Sequence, residues 1–77
     1  MREYLIRART KAGLTQAQAA KKLLISQNYL SDIETGKRQK DLKLNVLKGC
    51  AKVYEVPLDT LIYGESEYQE RKEEQHV

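Results

Sequence analysis

Four polar residues, Gln27, Asn28, Ser31 and Asp32, fall on one side of a short helical stretch. Residues three and four apart are neighbours on a helix, so the four share a face. Their chemistry suits the edges of DNA bases. Gln and Asn pair in a bidentate way with adenine, Ser serves several bases, and Asp accepts from the cytosine amino group. A merely solvated helix face has the same composition, so taken alone the face leaves both readings open.

Its surroundings favour the first reading. Residues 13–38 read GLTQAQAAKKLLISQNYLSDIETGKR, two short helix patterns separated by a tight break. Thr15 with Gln18 three residues on is a capping box, in which each residue satisfies a free backbone donor at a helix start. Ser26 suits the N-cap of the next helix. Two helices joined by a three- or four-residue turn form a helix-turn-helix, whose second helix commonly enters the major groove of DNA.

Five helices fit the apolar periodicity, so the expected fold class is all-α. The first runs from about Arg2 to Lys11, with Leu5, Ala8, Arg9 and Ala12 on one face, and Gly13 ends it. The second runs from about Gln16 to Leu23, with Ala19, Ala20 and Leu23 inward. The third runs from about Gln27 to Glu34, with Leu30 and Ile33 inward, and Gly36 closes it. The fourth, after Asp41 as a cap, runs from about Leu42 to Tyr54 and buries Leu44, Leu47, Ala51 and Tyr54. Pro57, favoured at a first helical position, starts a fifth that buries Leu58 and Leu61, with Ile62 an open case: Ile62 and Tyr63 cannot both point inward on so short a helix, so some apolar surface is expected to remain outside. Gly64 is expected to end it, leaving residues 65–77 as a charged, flexible tail beyond a domain of residues 1–64.

Composition narrows the function classes. Seventy-seven residues allow one small domain, stabilised by only a few kcal/mol. The single cysteine, Cys50, excludes an internal disulfide framework and sits beside core positions, so a buried structural thiol is expected. His76 is the only histidine, so no His/Cys metal cluster is expected, and no glycine-rich loop suggests a phosphate-binding cofactor. Carboxylates are not clustered as an acid/base pair, so an enzyme is not expected. Without a membrane-length apolar run or a signal peptide, a soluble cytoplasmic protein is the simplest reading. Residues 1–64 hold twelve Lys and Arg against six Asp and Glu, a charge of +6, and residues 65–77 carry −3. A basic domain suits a polyanionic partner.

The chain resembles the phage-repressor type of helix-turn-helix protein, the XRE family. The resemblance rests on Leu5, Arg9, Gly13-Leu14-Thr15-Gln16, Ala20, Leu23, Ile25-Ser26, Ile33-Glu34, Gly36-Lys37-Arg38, Ala51, Val56, and Leu58 with Leu61. It covers about residues 1–64 and implies a five-helix DNA-binding domain that acts on transcription. Carried over residue by residue, it implies that Gln27, Asn28 and Asp32 read bases. Gln16 is then a phosphate or outer-base contact, and Tyr29 a phosphate or sugar contact. Lys37, Arg38 and Lys40 become backbone clamps. It also implies an ion pair between Arg9 and Glu34 that joins the first helix to the end of the third.

Departures from the family pattern carry their own expectations. Leu24 stands where glycine is usual in the turn, and a left-handed backbone there would strain it by roughly 1–2 kcal/mol. Ala8 and Ala19 stand where larger aliphatics are usual, so Leu24 is expected to turn inward. Asp32 is acidic where neutral or basic residues are common, and pairing with a nearby base such as Lys37 is its alternative to base reading. The link from Gly36 to Leu44 is two residues longer than usual and lacks a proline. The expected function is a regulator binding double-stranded DNA, with a homodimer through the fifth helix on a palindromic operator. The rival is an antitoxin-like or inhibitory module on the same fold, whose contact with a protein partner is its main activity.

Overall fold

A computed structural model describes residues 1–38 and 41–74 of the chain. Among these residues it has five α-helices and no strand: α1 (Glu3–Lys11), α2 (Gln16–Leu23), α3 (Gln27–Thr35), α4 (Leu44–Tyr54) and α5 (Leu58–Glu74). Local signals account for the short helices α2 and α3. The Thr15 hydroxyl accepts from the Gln18 amide at 3.1 Å, and the Gln18 side chain accepts from the Thr15 N–H at 2.9 Å. Ser26 Oγ accepts from the Tyr29 amide at 3.0 Å. Gly36 ends α3 in the left-handed conformation, at φ 88°.

The core collects one face from each helix. It takes Leu5 and Ala8 from α1, Ala19 and Ala20 from α2, and Leu30 and Ile33 from α3. Leu47, Cys50 and Tyr54 come from α4, and Leu61 from α5. Burying each large apolar side chain is worth about 1.5–3 kcal/mol. The four helices α1–α4, of 8 to 11 residues, are too short to be stable alone; packing of the apolar stripes holds them.

The structure departs from the sequence expectations at several places. Ala12 caps the end of α1 and is exposed. Leu24 points outward, 91% exposed. Asp41 does not cap α4: the helix begins at Leu44, with Lys43 at the N-cap and no side-chain cap bond. Leu42 enters the core in place of Leu44, which is half exposed, because the Leu42 amide is drawn to the Glu65 carboxylate at 3.2 Å. On α5, by contrast, Ile62 and Tyr63 leave apolar surface outside as expected, and both are exposed.

The largest departure concerns residues 65–74. Helix α5 passes through Gly64 without a break and continues to Glu74, so a boundary at residue 64 would cut a helix. Gly64 serves a close approach. A β-carbon there would lie 2.5 Å from the Tyr4 ring, so glycine lets α1 and α5 pack together. His76 lies outside the described residues.

Candidate nucleic-acid interface

The turn between α2 and α3 spans residues 24–26. Leu24 takes the left-handed conformation at φ 61°, ψ 39°, and its amide donates to the Lys21 carbonyl at 3.2 Å. The Ile25 amide donates to the Ala20 carbonyl at 3.0 Å. A left-handed residue reverses the chain after the last turn and satisfies the open carbonyls of α2. Ser26 is extended and launches α3. Gln27 and Asn28 are exposed on the first turn of α3, whereas Ser31 and Asp32 are half-buried. Tyr29 is also half-buried, packed on the edge of the core, with the Arg38 guanidinium 5.5 Å from its ring centre.

At the other end of α3, the Asp32 carbonyl accepts from the amides of Gly36, Lys37 and Arg38 at 3.0, 2.9 and 3.2 Å. This wraps the chain back around the helix terminus and leaves the Lys37 and Arg38 side chains exposed. The Asp32 carboxylate pairs with Arg38, Oδ2 to Nε at 3.1 Å. The partner is Arg38 rather than Lys37. Lys40 lies outside the described residues.

Arg9 and Glu34 form a buried pair across α1 and α3. Arg9 Nε donates to Oε2 at 2.8 Å and Nη2 to Oε1 at 3.3 Å. Nη1 donates to the Leu14 carbonyl at 3.0 Å. The Gln16 side-chain amide donates to Glu34 Oε1 at 3.0 Å. Glu34 therefore ties α1, the start of α2 and the end of α3 to one carboxylate, and in the free protein Gln16 faces it.

A family model described as helix-turn-helix, of the Cro/C1 type, matches residues 5–61. The chain belongs to the XRE family of helix-turn-helix proteins. It is a DNA-binding regulator of transcription. No curated protein and no solved structure matches it.

Outside the matched residues lies a second buried pair, which sequence reasoning missed. Arg2 is fully buried and grips Glu65 through Nε to Oε1 at 2.8 Å and Nη2 to Oε2 at 3.1 Å. Glu65 also accepts from the Tyr4 hydroxyl at 2.7 Å, the Gln69 side chain at 2.8 Å and the Leu42 amide at 3.2 Å. Burial alone would raise the Glu65 carboxyl. The bonds from Arg2, Tyr4, Gln69 and Leu42 outweigh it and hold the carboxyl below its ordinary value. A signal existed in the sequence. Leu58, Leu61, Glu65 and Tyr68 keep helical spacing across Gly64, but a carboxylate in the stripe hides it.

Other features of this XRE-family chain are inert. Burial, with Glu34 nearby, pushes the Cys50 thiol up to about 11, where it stays protonated and unreactive. No group of side chains suited to holding a metal occurs among the described residues. No described helix is long and apolar enough to cross a membrane.

Proposed function

We propose that the chain is a cytoplasmic, sequence-specific repressor that binds a palindromic operator as a dimer, with α3 in the major groove. The observation that carries this reading is the exposure of Gln27 and Asn28 on the first turn of α3, the end that meets base edges in this motif. Ser31 completes the reading face. Asp32 is held by Arg38 in the free protein, so it reads a cytosine only where a phosphate takes Arg38 away. Tyr29, Lys37, Arg38 and Lys40 contact the backbone. Gln16 opens α2, and a helix start suits a phosphate. Ile62 and Tyr63, exposed on α5, supply the apolar contact between two copies. A protein partner could use the same surface, which is the rival reading.

Selection of bound sequences from a random DNA pool, followed by titration at several salt concentrations, tests this reading. Gln27→Ala or Asn28→Ala should weaken binding to the selected site by about 1–3 kcal/mol and leave scrambled DNA nearly unchanged. Lys37→Ala or Arg38→Ala should weaken both and lower the salt slope by about one unit. If Gln27→Ala and Lys37→Ala shift both DNAs equally, α3 is not a reading head, and the protein-interaction module becomes the better account.

A further inference from the structure

The segment after α3 carries exposed cations, and both of its described ends are held from the continuation of α5. Arg2 Nη1 donates to the Ile33 carbonyl at 2.8 Å and to the Arg38 carbonyl at 3.4 Å. The Arg2 backbone amide donates to the Glu34 carbonyl at 2.7 Å. One side chain therefore reaches the last turn of α3 and the residue that ends its C-terminal wrap. Glu65 holds that guanidinium bidentately, and the Tyr68 ring lies 4.8 Å from it. Tyr68 also reaches the helix end directly: a β-carbon added at Gly36 would collide with its hydroxyl. At the far end of the segment, Glu65 accepts from the Leu42 amide. Glu65 and Tyr68 are three residues apart on α5, and so share a face. Three separate contacts thus converge on the stretch that displays Lys37 and Arg38.

We propose that Glu65 and Tyr68, acting through Arg2, are positioning residues for DNA binding that hold Lys37 and Arg38 where they meet the phosphate backbone. The inference rests on the DNA-binding reading above. Its physical basis is preorganisation. A segment fixed before contact loses less freedom when it binds, and two cations held at a set spacing displace counterions together. The residues lie outside the matched helix-turn-helix span, so the domain borrows part of its binding geometry from beyond it.

The test uses the full chain and a mixed-sequence DNA duplex, because phosphate contacts do not depend on sequence. Affinity is measured between about 50 and 200 mM salt for wild type, Glu65→Gln, Tyr68→Ala and Tyr68→Phe, with Thr60→Ala, an exposed position on α5 away from the segment, as a control. Each phosphate contact contributes about 0.9 to the salt slope, so misplacing one or both cations should lower the slope by about 0.9–1.8. Over that fourfold range of salt, wild type should lose about 3- to 12-fold more affinity than Glu65→Gln or Tyr68→Ala. Tyr68→Phe keeps the ring over Arg2 but loses the hydroxyl at Gly36, so its slope should fall between those of wild type and Tyr68→Ala, whereas Thr60→Ala should keep the wild-type slope. Hydrogen exchange at the Lys37 and Arg38 amides should speed up in the two disruptive variants. A loss of stability alone would not move the slope of the folded protein. Folded variants that keep the wild-type slope overturn the positioning role while leaving DNA binding intact. Should Glu65→Gln fail to fold, Tyr68→Ala decides. A wild type with no salt-dependent affinity for the duplex overturns the DNA-binding reading, and this inference with it.

Discussion

Replacing Arg9 by alanine should destabilise the fold by about 3–5 kcal/mol. The magnitude follows from burial. Glu34 is only 2% exposed, and Arg9 supplies it with two charge-assisted bonds while a third goes to the Leu14 carbonyl. An exposed pair would be worth about 0–1 kcal/mol. Here alanine leaves a carboxylate out of water and facing the neutral Gln16 amide, which carries no compensating charge. A chain of this length is stabilised by only a few kcal/mol in total, so the change removes most of it. The Tm should fall by at least about 12 °C, read by circular dichroism. Removing both charges tells a different story. Arg9→Met with Glu34→Leu strands nothing and should recover most of the loss, since apolar replacements of a buried pair are often neutral or better. If Arg9→Ala melts within a few degrees of wild type, or if the double variant is worse than either single one, the reasoning fails.

Leu24→Gly should raise the Tm. The left-handed backbone strains leucine by roughly 1–2 kcal/mol, its outward side chain has little packing to lose, and the greater freedom of glycine in the unfolded chain offsets only part of the gain; a lower Tm would refute this. Gly64→Ala should do the reverse. Helix propensity favours alanine by about 1 kcal/mol, but the clash with Tyr4 opposes it by about 1–3 kcal/mol, so a stabilised variant would show that α1 and α5 are less closely packed. Stability should also decline in acid partly through Glu65. Its folded carboxyl is held below the unfolded value, so its contribution is present above about pH 4.3 and is lost as the pH falls through the folded value. Thermal melts of Glu65→Gln should therefore decline less steeply below that pH than wild type, and equal slopes would exclude Glu65 as a source.

The elements that the sequence made legible are those whose instructions lie close together. Thr15 and Gln18, Ser26 and Gly36 all act within a few residues, and α1, α2 and α3 form near where these signals place them. The start of α4 was not legible, because Asp41 resembles a cap while the Leu42 amide answers to a carboxylate 23 residues away. Gly64 was ambiguous for the same reason. A glycine that stops a helix and one that admits a neighbouring ring look alike until Tyr4, sixty residues earlier, is seen against it. Arg2 and Glu65 were invisible as core residues because each is charged, and burial of each becomes tolerable only through its partner and the surrounding hydrogen bonds, most of them distant in sequence. At the interface, helical spacing placed Gln27 and Asn28 on the exposed first turn. It could not show that Ser31 and Asp32 sit deeper, nor that the wrap after Gly36 turns Arg38 rather than Lys37 toward Asp32.

The Arg2–Glu65 pair also orders events in time. It joins residues 63 positions apart, so nearly the whole described chain must be in place before it can close. Contacts of such span come late in folding, because loop closure has to precede any gain from them. Synthesis runs in the same direction. The helices that would carry base reading and the Arg9–Glu34 tie can assemble while residue 65 is still within the ribosome, and only its arrival lets Arg2 be sealed in. A nascent chain thus acquires α3 and its tie to α1 first and the Arg2–Glu65 pair last.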